Sequence, residues 1–324
     1  MTTSKYDEVV ELINEAKEIV LATHILPDGD AIGSLLGLGL MLRGAGKTVI
    51  ATWGGRVEMP GQYAFLAGQE MLAAAEDVPR EPALIIALDC GSRERLGTIE
   101  RNFKRAQKTV NIDHHRNNTA FGTVNVVEPD YASTTMLVLE LGHALAAEIS
   151  LDVAENLYAG LVTDTGRFQY SNTNAAAFRV AAELTGYGVD PARIFRHVYE
   201  NTTFERLLLA GRVLAKTVFD RDHSFIYTTI TKEDFAATGA SVEDTENLID
   251  SLRAVSGVQV AAVFKETEGG LRVSLRSTGV VDVGLIAGEQ GGGGHRLAAG
   301  YNGRGGIEES LTDLKAKLTA AAGA

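Results

Sequence analysis

The chain has 324 residues, and its 30 basic and 42 acidic side chains leave a formal charge of −12. With 45% apolar and 22% charged residues and no uninterrupted apolar segment near ~18 positions, it reads as a soluble globular protein long enough for two domains, which excludes transmembrane and disordered chains. A pI near 5.1 without a Lys/Arg-rich run excludes a protein that grips long nucleic acid through its phosphates, so any nucleic-acid substrate should be short. The single cysteine, Cys90, cannot form an internal disulfide. The opening MTTSKYDEVVELINEAKEIV lacks the basic stretch and apolar core of an export signal, so a cytoplasmic protein with no membrane partner is expected.

In chain order, Tyr6, Val9, Val10, Ile13 and Ala16 recur at helical spacing, and EIVLAT (Glu18 to Thr23) is a short apolar run of strand character. Asp30 to Arg43 reads as a helix, and Lys47 to Thr52, Ala83 to Leu88 (ALIIAL) and Lys108 to Ile112 (KTVNI) as strands. Ser133 to Ala146 and Asp152 to Val162 again look helical. This alternation predicts an α/β domain over residues 1–186, a mostly parallel sheet with flanking helices. Pro191 to Glu200 and Phe204 to Lys216 form two helical patterns, a helical connector over 187–216. Strands at Ser224 to Ile230, Val258 to Lys265 and Leu271 to Arg276, with helices near Asp244 to Leu252 and Ile307 to Ala321, predict a smaller α+β domain over 217–324.

Carboxylates and histidines fall where those strands end. After EIVLAT comes His24-Ile25-Leu26-Pro27-Asp28-Gly29-Asp30, after ALIIAL comes Asp89, after KTVNI comes Asp113-His114-His115, and the helix from Asp152 ends in Thr163-Asp164-Thr165-Gly166. Open α/β sheets bind ligands at the carboxyl ends of their strands, near a topological switch point. Taken singly, an Asp there is a turn former or helix cap and a His a packing residue. Together they would repel one another, and apart from Arg116 and Arg167 no cation lies in these segments. Two divalent cations would supply the missing charge. Carboxylate and imidazole donors without thiolate suit Mn²⁺ first, with Mg²⁺ or Co²⁺ as alternatives. Cys90 reads as a buried filler. Paired metals activate water and polarise a phosphoryl group, so phosphate-ester hydrolysis is the reaction class expected.

Further on, Gly291-Gly292-Gly293-Gly294-His295 offers backbone N–H groups and an imidazole to an anion, and Arg276-Ser277 ends a strand nearby. The run lacks the Lys-Ser/Thr of a P-loop. His143, His197 and His223 read as surface or packing residues, and Trp53 and Tyr170 as core or cleft wall rather than base-stacking platforms.

The set His24-x-x-x-Asp28-x-Asp30, Asp89, Asp113-His114-His115-x-x-Asn118, Asp164-Thr165-Gly166-x-Phe168 and Gly291-Gly292-Gly293-Gly294-His295 resembles the DHH phosphoesterases with a DHH-associated C-terminal domain. Layout and length are most similar to the nano-RNases of the oligoribonuclease and pAp phosphatase type. The resemblance implies that His24 and Asp28 hold one metal and Asp30, His114 and Asp164 the other, with Asp89 bridging. It places His115 beside the scissile phosphate, with Asp113 orienting the histidines and Asn118 shaping the phosphate pocket. Gly293, Gly294, His295 and Arg276, with Ser277 beside it, would clamp the distal nucleotide. Gln290 stands where relatives often carry an aromatic residue.

The substrates so implied are short oligoribonucleotides and pAp, cut to 5′-mononucleotides, with cyclic or linear dinucleotides such as cyclic di-AMP as the alternative. A clamp on one domain and metals on the other would favour short substrates over long duplex. A manganese pyrophosphatase shares the N-terminal motif but uses a basic Ser-Arg-Lys-Lys-Gln type segment that is missing here. A non-catalytic nucleotide sensor would normally have lost ligands, and none is lost. Oligomeric state is not legible, homodimers being the commonest closed assembly.

Overall fold

The computed structural model describes residues 5–245 and 248–322. It divides into two compact units, Met1–Asn201 and Thr202–Ala324.

The first unit runs α1 (Asp7–Glu15), β1 (Glu18–Thr23), α2 (Gly29–Gly44), β2 (Thr48–Trp53), β3 (Leu84–Leu88), α3 (Glu100–Arg105), β4 (Lys108–Asp113), β5 (Val124–Val127), α4 (Thr134–Ala144), α5 (Leu151–Asp164), α6 (Ala175–Gly186) and α7 (Pro191–Tyr199). Its five strands are all parallel in the order β2-β1-β3-β4-β5. The chain therefore leaves β1 toward β2 and returns on the other side as β3, which opens a crevice at their carboxyl ends. Alternate residues feed two cores: Ile19, Leu21, Leu84, Ile86 and Leu88 pack against α2, α4 and α5, while Val20, Ala22, Ile85 and Ala87 meet Leu96, Ile99 and Phe103. A sheet buried on both faces explains why these strands read as continuous apolar runs.

Helices α2 and α5 meet backbone to backbone. A Cβ on Gly33 would stand 2.4 Å from the Asn156 carbonyl oxygen, and one on Gly160 would stand 3.1 Å from the Asp30 Cα. The glycines of α2 at 29, 33 and 37 recur every four residues, so they share one face of the helix. This seam is absent from the periodicity reading because it is made by missing side chains.

The second unit runs α8 (Phe204–Ala215), β6 (Val218–Asp220), β7 (Phe225–Ile230), α9 (Lys232–Thr238), α10 (Leu248–Arg253), β8 (Val260–Thr267), β9 (Gly270–Ser277), α11 (Val283–Glu289), β10 (Gly293–His295), β11 (Ala298–Asn302) and α12 (Ile307–Ala322). Its mixed sheet has the order β10-β11-β9-β8-β7-β6. One face packs Phe225, Phe264, Val273 and Leu275 against α11 and α12, and the other packs Ile226, Ile230 and Val263 against α8 and α10. The helix expected over 244–252 is a short turn at Glu243–Thr245 followed by α10, with residues 246 and 247 outside the described set. Among the described residues no helix is long and apolar enough to cross a membrane.

Asp234 ties α8 to α9. Its buried carboxylate closes a capping box with Thr231 and accepts from Arg212 Nε at 2.7 Å and from Lys216 Nζ. Although burial opposes ionisation, Lys216, the Thr231 amide and Arg212 hold the Asp234 carboxyl well below the usual carboxylate range. A carboxyl lowered in the folded state contributes stability that is present above its unfolded pKa and lost as pH falls. Asp234→Asn should therefore cost about 2 kcal/mol at pH 7 in urea unfolding of the full chain, the cations being partly exposed, and the gap from wild type should shrink below about pH 4. Gly33→Ala should cost about 1–3 kcal/mol in the same assay, because the carbonyl it meets is backbone and cannot rotate away.

Candidate active site

The crevice between β1 and β3 receives four of the six expected ligands from the ends of strands or from the turn that follows, while the first turn of α2 supplies Asp30 and the end of α5 supplies Asp164. His24 directly follows β1, and Asp28 and Asp30 open α2. Asp89 directly follows β3, and His114 follows β4; Asp164 is the last residue of α5. Their donor atoms fall into overlapping sets, His24 with Asp28 and Asp89, Asp30 with His114 and Asp164, and Asp89 with His114 and His115, each spanning no more than 4.8 Å. Asp89 belongs to two of these sets. His24 Nε2 lies 3.7 Å from one Asp89 oxygen, and His114 Nε2 lies 3.6 Å from the other. His114 Nε2 is also 3.8 Å from Asp30 and 3.5 Å from Asp164.

Neighbouring groups fix each donor. The Asp28 side chain caps α2 by accepting from the Ala31 amide at 3.1 Å. The Asp30 carboxylate accepts from the Thr134 and Thr135 amides at 2.6 and 2.9 Å, so the N-terminus of α4 points its orphan N–H groups at it. Asp89 is held by the Thr134 hydroxyl at 3.0 Å and sits at φ 53°, a left-handed backbone that is costly for a non-glycine residue. His24 Nδ1 lies 2.8 Å from the Ile25 carbonyl and His114 Nδ1 lies 3.2 Å from the Tyr131 carbonyl. Donation of Nδ1–H to a carbonyl leaves each Nε2 lone pair facing the carboxylates, the tautomer that a metal ligand requires.

His115 is oriented differently from its neighbour. Its Nδ1 is 2.7 Å from Asp113 and 3.6 Å from Asp89, so it is Nδ1 that faces these carboxylates. Burial works against its protonation, but the Asp113 hydrogen bond and the Asp89 charge raise it to about 9. Asp113 is wholly buried, and its other oxygen accepts from Asn118 Nδ2 at 2.5 Å. The same Asn118 nitrogen reaches the Asn111 side chain and the Cys90 carbonyl, so it braces Asp113.

The charge distribution answers whether divalent cations fit. Asp30 and Asp89 are 1% and 2% exposed, yet among the described residues no Lys or Arg pairs with Asp28, Asp30, Asp89 or Asp164. Burial, reinforced by Asp89 and its neighbours, drives Asp30 well above the usual carboxylate range. Burial likewise raises Asp164 to about 7, with His114 opposing and Asp89 and Asp28 adding to the rise. Asp28 is raised in the same way, by the protein around it and by Asp89. Asp89 alone is lowered, the three histidines outweighing its burial. Carboxylates driven up by one another, beside imidazoles in the ligating tautomer, form a donor set completed by positive charge. Cys90 takes no part: it is buried, and burial pushes its thiol up to about 12.

In the second unit Gly293, Gly294 and His295 form the short edge strand β10, paired with Ala298–Gly300 of β11. A Cβ on Gly294, at φ 144°, would stand 2.5 Å from the Ala298 carbonyl oxygen, so a tight hairpin accounts for this glycine. His295 and Arg276 both pair with Ala298, which puts them in one row across the sheet; the His295 side chain lies outside the described set. Arg276 is 3.8 Å from Asp250, and buried Ser277 accepts from the Gly279 amide at 3.0 Å. Gln290 donates to Asp313 on α12. His143 pairs with Glu183 at 2.9 Å, His197 stacks on Phe65 and His223 lies 3.0 Å from Asp220, so none joins the cluster. Trp53 is a core residue. Thr134 was missed in the sequence reading, although Ser133-Thr134-Thr135 at a helix start is a legible capping signal.

The chain belongs to the DHH family, whose N-terminal domain matches residues 18–161, and its second unit matches the DHHA1 domain over residues 222–324. A bifunctional oligoribonuclease and PAP phosphatase NrnA from Thermus thermophilus is 35% identical, the match spanning 91% of this chain and 89% of that one. A protein of the same description from Bacillus subtilis is 29% identical over 90% and 91% of the two chains. The crystal structure of an exopolyphosphatase-related protein from Bacteroides fragilis superposes with a TM-score of 0.92 at 27% identity, covering 98% of this chain and 96% of that one.

Charge crowding sets a test of the cluster. Asp164→Asn should melt about 2–4 °C higher than wild type in the metal-free form at pH 8, since one repelling charge is gone. The same variant should lose most of the upward shift that Mn²⁺ gives the wild type in thermal scans. A full Mn²⁺ shift would remove Asp164 from the cation site.

Proposed function

We propose that the chain is a divalent-metal phosphoesterase that cuts short oligoribonucleotides, and removes the 3′ phosphate of pAp, to release 5′-mononucleotides. The observation that carries this reading is the pair of His/carboxylate sets sharing Asp89, in a chain that is 35% identical to a relative described as an oligoribonuclease and PAP phosphatase. His24, Asp28 and Asp89 would hold one ion and Asp30, Asp89, His114 and Asp164 the other, with Mn²⁺ preferred and Mg²⁺ or Co²⁺ as substitutes. Such ions polarise a phosphoryl oxygen, activate water and steady the leaving oxygen.

The remaining work falls to the protein. Thr134 and the first amides of α4 keep Asp89 and Asp30 in place, so the site does not have to reorganise as charge develops. His115, whose protonated form the Asp113 hydrogen bond favours, would donate its Nε2–H to an oxygen of the phosphate under attack. Asn118 serves that role indirectly by bracing Asp113. Gly293, Gly294, His295, Arg276 and Ser277 would take the phosphate and sugar of the distal nucleotide, with the edge strand supplying unpaired N–H groups.

The experiment is release of mononucleotide by the Mn²⁺-loaded full chain from a 5′-phosphorylated dinucleotide, an RNA of about 24 residues, pAp, cyclic di-AMP and pyrophosphate; oligonucleotide inhibition of shorter cuts provides the length cut-off. The dinucleotide and pAp should be cleaved in preference to the long RNA. Asp89→Asn should reduce turnover by at least about 10³-fold, because both ions lose a ligand. His295→Ala should weaken substrate about tenfold in calorimetry while Mn²⁺ affinity is kept. Turnover of cyclic di-AMP alone would move the substrate to cyclic dinucleotides, and turnover of pyrophosphate alone would remove the nucleotide reading.

A further inference from the structure

Arg167 and Tyr170 lie just beyond Asp164, and none of the roles above uses them. Gly166, Arg167 and Phe168 are three successive residues of left-handed backbone, at φ 54°, 63° and 62°. Two of them carry side chains, for which this conformation is costly. A local ring of hydrogen bonds holds the turn: the Arg167 amide donates to the Val162 carbonyl at 2.8 Å, and the Gln169 and Tyr170 amides both donate to the Thr165 carbonyl at 3.0 Å. Asn172 Nδ2 adds a bond at 3.0 Å to the carbonyl of Asp164 itself.

The result is a division of side chains. Phe168 packs inward on Tyr158 and Phe178. Arg167 is exposed, with its guanidinium 4.9 Å from the centre of the Tyr199 ring. Among the described residues no carboxylate pairs with it, whereas Arg116, the other cation near the motifs, is bound to Asp130 at 3.2 Å. The Tyr170 ring lies flat on Gly166, where a Cβ would stand 2.3 Å from its Cζ, yet Tyr170 remains 51% exposed. One face of the ring is therefore backed by the chain and the other is open, unlike the core or cleft-wall residue expected from sequence.

We propose that Arg167 and Tyr170 form a nucleotide-binding platform contiguous with the Asp164 end of the metal cluster, the guanidinium taking a phosphate and the open tyrosine face stacking a base. A planar cation already stacked on an aromatic ring loses little freedom when it binds a phosphate. An exposed ring with one supported face can stack any base. The left-handed turn fixes both groups relative to Asp164. The platform rests on the substrate reading above and adds to it a recognition element within the first unit itself.

The test uses the Mn²⁺-loaded full chain and a 5′-phosphorylated dinucleotide, intact or lacking one base at a time. In wild type, removal of the base that stacks on Tyr170 should raise KM about tenfold, with the effect on kcat smaller. In Tyr170→Ala that removal should cost little further, while Tyr170→Phe should behave as wild type. Arg167→Ala should flatten the salt dependence of KM by a logarithmic slope of about 0.7, and Arg167→Lys should restore it. Base deletions that cost the same in wild type and Tyr170→Ala would overturn the platform. If wild type cleaves neither dinucleotide nor pAp, the substrate reading fails, and calorimetry with AMP then judges the platform separately. About tenfold weaker AMP binding in Tyr170→Ala upholds it, and equal or absent binding overturns it.

Discussion

Like charges brought together in a place with little water are the constraint around which the first unit is built. Asp30 and Asp89 are buried, Asp28 and Asp164 border them, and no arginine or lysine pairs with any of the four among the described residues. A fold that gathers such groups must either neutralise them or hold them for a cation. The surrounding structure does the second: helix amides face Asp30, a hydroxyl holds Asp89, and two histidines turn their basic nitrogens inward. The parallel sheet makes this possible, because its switch point brings the ends of β1 and β3 side by side while the apolar strands are buried on both faces.

Adjacent histidines show how far the partner of one ring nitrogen decides chemistry. His114 gives its Nδ1 to a neutral carbonyl and keeps a lone pair for the cluster, whereas His115 gives its Nδ1 to a buried carboxylate that favours its protonated form. The sequence distinguishes the two only through family resemblance. Their different surroundings come from Tyr131, whose main chain is the acceptor, and from Asp113, two residues before His115.

Much of this was legible beforehand, and the exceptions have physical causes. The strand EIVLAT was read with the bounds that β1 has, because a strand covered on both faces leaves an unbroken apolar run. The gathering of these carboxylates and imidazoles is legible because such groups at successive strand ends have few other reasons to coincide. Short or small-residue elements escape: β6 has three residues, β5 four, β10 is largely glycine and β11 opens Ala-Ala-Gly. The helices α3, α6, α9 and α11 also escape; α3 has six residues and α9 and α11 seven each, too short to display a helical period. Contacts that use main-chain groups, such as the α4 amides on Asp30, carry no residue signature beyond the cap that precedes them. The exposure of Tyr170 depends on Gly166 beneath its ring, a relation between a residue and an absent side chain.

The glycine seam between α2 and α5 acts as a gauge. Asp30 lies in the first turn of one of these helices and Asp164 ends the other, and the two cross where main chain touches main chain at Gly33 and Gly160. Helices separated by interlocking side chains can drift by fractions of an ångström as rotamers change, but two backbones in contact have no compliant layer between them. The spacing of these carboxylates is thus a dimension of the scaffold, with a tolerance set by covalent geometry. Sequence drift in the surrounding core could repack the helices' outer faces and leave that dimension untouched.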